Sequence, residues 1–198
     1  MLVLRVGNLG GLTTLVVVLV LTLLCMWYAK KGKPINIRRL RGLDAIDEAV
    51  GRATEMGRPV HFCSGTLGTL YSEEAPQILA GLTALSHVSR LTARMGAPLI
   101  VTVCHPATLP LVEEIVTESY VREGKASDLR PDMVRHLSTE QQAYASAVQG
   151  IFVREQVAAN IMIGPMYADC FQIAETGFRM GAMQVAGSGT KTTQLAFL

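Results

Sequence analysis

Cys63-Ser64 and Cys104-His105 each set a nucleophilic side chain beside another reactive group at the end of an apolar run. A thiol attacks as its thiolate, and a nearby histidine or a helix N-terminus favours that form. The catalytic constellation open to the sequence is therefore Cys63, Ser64 or Cys104 as nucleophile with His105 as base. Two features weigh against it. His105 directly follows Cys104, and adjacent residues of a strand point to opposite faces. The elbow motif G-x-S-x-G is also missing, because Phe62 stands where its first glycine belongs. Buried thiols and a hydrogen-bonded histidine are the competing reading, which the usual burial of cysteine favours.

A second kind of chemistry is anion binding. Four segments rich in Gly, Ser, Thr or Pro follow apolar runs: Cys63 to Thr69, Cys104 to Thr108, Gly164 to Asp169 and Gly187 to Thr192. Glycine lets backbone N–H groups approach an anion, and hydroxyls add donors. Ser64, Gly65, Thr66 and Gly68, with Gly187, Ser188, Gly189 and Thr190, form the candidate ligand-binding set for a small anion. The competing reading is that these are ordinary turn residues. Neither nucleotide signature is present. In Gly187-Ser188-Gly189-Thr190-Lys191-Thr192 a threonine separates Gly from Lys, where a P-loop needs them adjacent. Gly65-Thr66-Leu67-Gly68 lacks the G-x-G-x-x-G spacing. His61, His87, His105 and His136 form no i, i+4 pair, and the four cysteines have no paired spacing, so no metal or other cofactor is implied.

The elements that must position these loops follow from periodicity. Pro59–Cys63, Pro98–Cys104, Ala158–Ile163 and Ala182–Ala186 read as strands, the second a continuous run suited to burial on both faces. Between them the spacing predicts helices. One begins with Asp44 as N-cap and ends at Gly57; another follows Pro76, carries Ile78, Leu82, Leu85 and Val88 on one face, and ends at Gly96. Others run from Thr108 to Gly124, from a capping box at Ser138–Gln141 to about Arg154, and from Tyr167 to Met180. Residues 125–137 are ambiguous, with a short edge strand at Asp132–Leu137 as one reading. This alternation predicts an α/β fold: a mostly parallel, Rossmann-like sheet with helices on both faces. Ligands of such sheets bind beyond the carboxyl ends of the strands, where all four loops would gather.

Ahead of this domain lies Leu9 to Ala29, without a charged residue. As a helix it spans roughly 30 Å, the thickness of a bilayer's hydrocarbon core. Only Arg5 precedes it, whereas Lys30, Lys31, Lys33, Arg38, Arg39 and Arg41 follow before the first acid, Asp44. That asymmetry predicts a single-pass anchor at 1–29, a basic juxtamembrane linker at 30–43 and a cytoplasmic domain at 44–198. A cleaved leader would have a shorter apolar core and a small-x-small exit, and the exit here is Met26-Trp27-Tyr28-Ala29. Residues 42–198 hold eleven bases against sixteen acids, a net of −5, with no basic stripe to suit nucleic acid. The expected partners are the lipid bilayer, a small anionic ligand and further copies of the chain. The final Leu195-Ala196-Phe197-Leu198 reads as an element cut short.

Through His61-Phe62-Cys63-Ser64-Gly65-Thr66, Ala158-Ala159-Asn160-Ile161-Met162-Ile163-Gly164 and Ala174-Glu175-Thr176-Gly177, the chain resembles bacterial and archaeal membrane-anchored proteins grouped as a domain of unknown function. The resemblance covers most of residues 42–198. It implies a membrane protein, assigns no activity or catalytic residue, and implies relatives that continue past residue 198. The leading reading is a membrane-anchored domain that senses a ligand or assembles. The alternative is an enzyme acting on a small anionic substrate at the loop rim.

Overall fold

A computed structural model describes residues 9–30 and 41–190. The juxtamembrane residues 31–40 and the apolar end Leu195–Leu198 lie outside the described residues. The chain divides into two compact units, Met1–Arg39 and Leu40–Leu198.

The first unit contributes helix α1, Leu9–Lys30, whose described side chains are all exposed. Its length and composition suffice to cross a membrane, a property that leader sequences share. The hydroxyls of Thr13, Thr14 and Thr22 donate to carbonyls of their own helix, so these donors are satisfied within it.

The second unit is the expected α/β fold. Its elements are α2 (Arg41–Met56), β1 (Val60–Cys63), α3 (Ala75–Met95), β2 (Leu99–Val103), α4 (Leu109–Arg122), β3 (Val134–His136), α5 (Gln141–Glu155), β4 (Ala159–Ile163), α6 (Asp169–Arg179) and β5 (Met183–Gly187). The five strands form one parallel sheet in the order β3-β2-β1-β4-β5. The ambiguous segment thus supplies an edge strand, β3. It is short and half exposed, and for that reason carried little apolar signal.

Side chains alternate between the two faces of the sheet. Val60, Phe62, Val101, Val103, Ala159, Ile161 and Val185 pack with Ile46, Val50, Leu82, Leu85, Val112 and Val116, so α2, α3 and α4 cover one face. Cys63, Ile100, Met162 and the following Cys104 pack with Tyr144, Val148, Phe152, Cys170 and Ile173, so α5 and α6 cover the other. Burial on both faces is why β1, β2 and β4 read as nearly unbroken apolar runs.

Helix ends follow capping chemistry, with three differences from the expected caps. Helix α2 begins at Arg41, which puts Asp44 in its first turn, where a carboxylate complements the helix dipole without capping. Thr108 precedes α4, but its hydroxyl donates back to the His105 carbonyl and caps nothing. At α5 the N-cap is Glu140, whose carboxylate accepts from Ala143 N–H, while Ser138 accepts from Glu140 N–H. Gly96, at φ 74°, ends α3 as expected.

Phe62 is fully buried at the centre of the sheet, whereas Phe178 is 79 % exposed. Phe62→Ala is expected to cost about 3–5 kcal/mol of unfolding free energy, and Phe178→Ala less than about 0.5 kcal/mol. Urea denaturation of the two variants tests this placement; equal losses would contradict it.

Candidate functional site

Strand β1 lies between β2 and β4, and the chain builds outward from it in both directions. The order of the sheet therefore reverses between β1 and β4. In open α/β sheets the crevice at such a reversal, outside the strand ends, is where ligands sit.

Here the two loops that border that crevice are bonded to each other. The N–H groups of Thr66 and Leu67 both donate to the Pro165 carbonyl, at 2.9 and 3.1 Å. Thr66 Oγ1 donates to Asp169 Oδ2, and Tyr167 N–H donates to Oδ1 of the same carboxylate. Asp169 opens α6 and is 1 % exposed, so its charge rests on these donors and on the positive end of the helix. His105 Nε2 faces the Thr66 carbonyl at 3.2 Å and must carry the proton. Two glycines permit the closeness. Gly164 has φ 152°, and a Cβ there would stand 2.1 Å from the Ser64 carbonyl oxygen. Gly65 has φ 107°, and a Cβ there would meet Pro165 at 2.7 Å. Both glycines thus have a packing role.

The structure brings the candidate ligand-binding residues to one edge of the sheet. Ser64 and Thr66 are buried. Gly68 lies in the next turn, where a Cβ would press on Ser72 and Glu74. Gly187 joins the cluster by accepting from Gly164 N–H. Several donors that an anion would need are already engaged. Gly65 N–H points to Cys63 Sγ, Gly189 N–H donates to Gln77 Oε1, and Thr190 N–H donates to Ser188 Oγ. The buried Asp169 carboxylate adds a negative charge to the same edge.

The catalytic candidates Cys63 and Ser64, and Cys104 beside His105, are buried. Burial pushes the Cys63 thiol up to about 12, against the hydrogen bonds from Tyr144 and Gly65 that favour its thiolate. Burial, then the Asp169 charge, raises Cys104 and Cys170 to about 11 each. All three are protonated at neutral pH. His105 is committed to a backbone carbonyl, and neither Cys63 nor Ser64 is its partner there. Among the described residues, no three His, Cys, Asp or Glu side chains are grouped to hold a metal ion.

One buried cluster was missed from the sequence. His61, in β1, is fully buried, with Nδ1 2.9 Å from Asn160 Oδ1 in β4 and Nε2 2.8 Å from Thr102 Oγ1 in β2. Asn160 Nδ2 donates to Gln184 Oε1 in β5, and Gln184 Nε2 donates to the Ala174 carbonyl in α6. The far end sets every proton, because a carbonyl only accepts. Gln184 must present Nε2 to Ala174 and Oε1 to Asn160. Asn160 then presents Oδ1 to His61, which must carry its proton on Nδ1. His61 Nε2 accepts from Thr102, whose Oγ1 also contacts the Tyr144 hydroxyl. Tyr144 oxygen lies 3.0 Å from Cys63 Sγ, at the rim. The Tyr144 hydroxyl donates to that sulfur. The signal in the sequence was a polar residue inside each apolar strand: His61 after Val60, Thr102 after Val101, Asn160 after Ala159.

A family model described as a domain of unknown function (DUF6754) matches residues 3–198. No curated protein and no solved structure matches the chain.

Burial lowers His61 to about 4, against the raising effect of its bond to Asn160. The unfolded histidine, near 6.5, binds a proton that the folded one refuses between those two values. Its contribution is therefore intact above pH 6.5 and is lost as pH falls towards 4, by on the order of 3 kcal/mol. His61→Gln is expected to be less stable than wild type at pH 7, with the gap narrowing by about that amount at pH 4. Urea titrations at the two pH values measure the gap; a constant gap contradicts the neutral, buried state.

Proposed function

This chain belongs to the family described as a domain of unknown function, DUF6754, and we propose that it is a non-catalytic assembly domain held at the cytoplasmic face of a membrane. The observation that carries this reading is the closed crevice. Where an α/β enzyme would admit substrate, the loops after β1 and β4 bond to each other, and Cys63, Cys104 and Cys170 are protonated. A domain of this shape acts through its surface, on other copies or on other proteins.

The charge distribution supports the tether and its direction. Six bases follow the apolar helix before any acid, against Arg5 alone before it. Each is worth about 1 kcal/mol near anionic headgroups. The net of −5 on residues 42–198 disfavours contact between the rest of the domain and the same headgroups.

The alternative, an enzyme for a small anionic substrate, has the convergence of the glycine-rich loops in its favour. It requires the crevice to open and His105 to leave the Thr66 carbonyl.

Protease added outside intact cells is expected to spare residues 42–198, and inverted membrane vesicles to expose them. In native protein at pH 8, iodoacetamide is expected to label Cys63, Cys104 and Cys170 at least about tenfold more slowly than after unfolding, since each thiol is protonated and buried. External cleavage of the domain reverses the topology. Rapid native labelling of Cys63, or a thermal shift with nucleotides, sugar phosphates or organic acids, favours the enzyme.

A further inference from the structure

Helix α6 buries Asp169, Cys170, Ile173 and Gly177 against the sheet. At 100° per residue, Phe171 and Phe178 fall within about 20° of one another, with Ala174 between them along the helix. The opposite flank faces α5: Gln172 Nε2 donates to Gln142, and the Gln172 carbonyl accepts from Gln149. The phenylalanine flank therefore looks outward past β5, which among the described residues pairs only with β4. Phe178 is 79 % exposed, Phe171 53 %, and Tyr167, in the loop that leads into α6, 47 %. Two phenylalanines so exposed on one line of a short helix, with Tyr167 exposed in the loop before it, are not explained by packing among the described residues.

We propose that this stripe, with the outer edge of β5, is a self-association surface that receives the same stripe of a second copy about a two-fold axis. The inference rests on the assembly reading above and gives it a partner and a place. The stripe is self-complementary. Two α6 helices crossing antiparallel at Ala174 set Phe171 of each against Phe178 of the other, as an isologous contact demands. The small Ala174 at the crossing lets the helices approach closely. The charges on the stripe are already matched: Arg179 Nη2 lies 2.6 Å from Glu175 Oε1 in the same chain, so the contact desolvates no lone charge. The area is of the right order. At about 150–250 Å² per aromatic side chain, the exposed fractions amount to roughly 350 Å² per copy. The two copies bring roughly 700 Å² from these residues alone, and antiparallel pairing of the β5 edges carries the total towards the 1,200–2,000 Å² of a specific interface. Anchoring in one membrane gives both copies the same orientation along its normal, which a two-fold axis parallel to that normal requires.

The test uses the full chain in lipid nanodiscs and in native membranes. In a Cys25→Ser background, Glu175→Cys places a thiol beside the two-fold axis, and mild oxidation is expected to give a covalent dimer. Phe171→Asp with Phe178→Asp is expected to abolish that cross-link and to weaken dimerisation at least tenfold by mass measurement. The thermal melting of the variant checks that it folds, since both residues are exposed. A dimer whose mass is unchanged in the Asp variant and that gives no Glu175→Cys cross-link overturns this surface while leaving self-assembly intact. A wild type that is monomeric under all conditions overturns both. A monomeric wild type that holds a different protein, lost in the Asp variant, overturns the second copy as occupant.

Discussion

His61 occupies the centre of the sheet with no exposure to solvent, and both of its ring nitrogens must be satisfied by neighbouring strands. That requirement ties the sheet together laterally. Asn160 can reach Nδ1 only when β4 pairs with β1 in the observed register, and Thr102 can reach Nε2 only when β2 lies on the other side. A slip of one residue would move Asn160 to the face covered by α3 and strand the imidazole. Phe152 of α5 closes over the ring edge-on, at 4.9 Å between centroids. Apolar burial alone would accept several registers of Val, Ile and Ala. The hydrogen-bonded row accepts one.

The row also joins the two places where function could reside. One end is Cys63 at the carboxyl edge of the sheet, and the other is the Ala174 carbonyl in α6. At the carboxyl edge, the crevice that this strand order creates is filled by the protein's own loops. A buried carboxylate, Asp169, draws Thr66 and the Tyr167 backbone to itself, and Pro165 takes two further donors. Glycines that suggest an anion cradle in the sequence are used to bring two backbones within contact distance. The thiols beneath are held protonated by the same burial that packs them.

Charge and exposed aromatic groups are unevenly distributed along the chain. The acids exceed the bases beyond the linker, while the bases crowd at the end of the apolar helix. Phe171 and Phe178 expose an aromatic line on α6, while Tyr71 and Tyr167 are exposed in loops.

Much of this was legible in the chain. Leu9–Ala29 is apolar on every face and long enough to cross a membrane, both read directly from composition. Unbroken apolar runs such as Leu99–Val103, alternating with helical periods capped by Gly96 and opened by Pro76, determine a parallel α/β sheet, because each pattern records which faces are covered. The short strand Val134–His136 was faint for the same reason: it is half exposed at an edge. The chemistry at the rim was decided elsewhere. Cys63, Ser64 and His105 do gather near one edge, but whether a thiol ionises depends on what buries it, and that shell comes from Tyr144, Asp169 and Cys104, far along the chain. The hydrogen bonds of His61 likewise join residues 41 and 99 positions apart. Periodicity reports the local division between core and solvent. Pairing between distant polar groups, and the protonation states that follow from it, exist only once the strands are side by side.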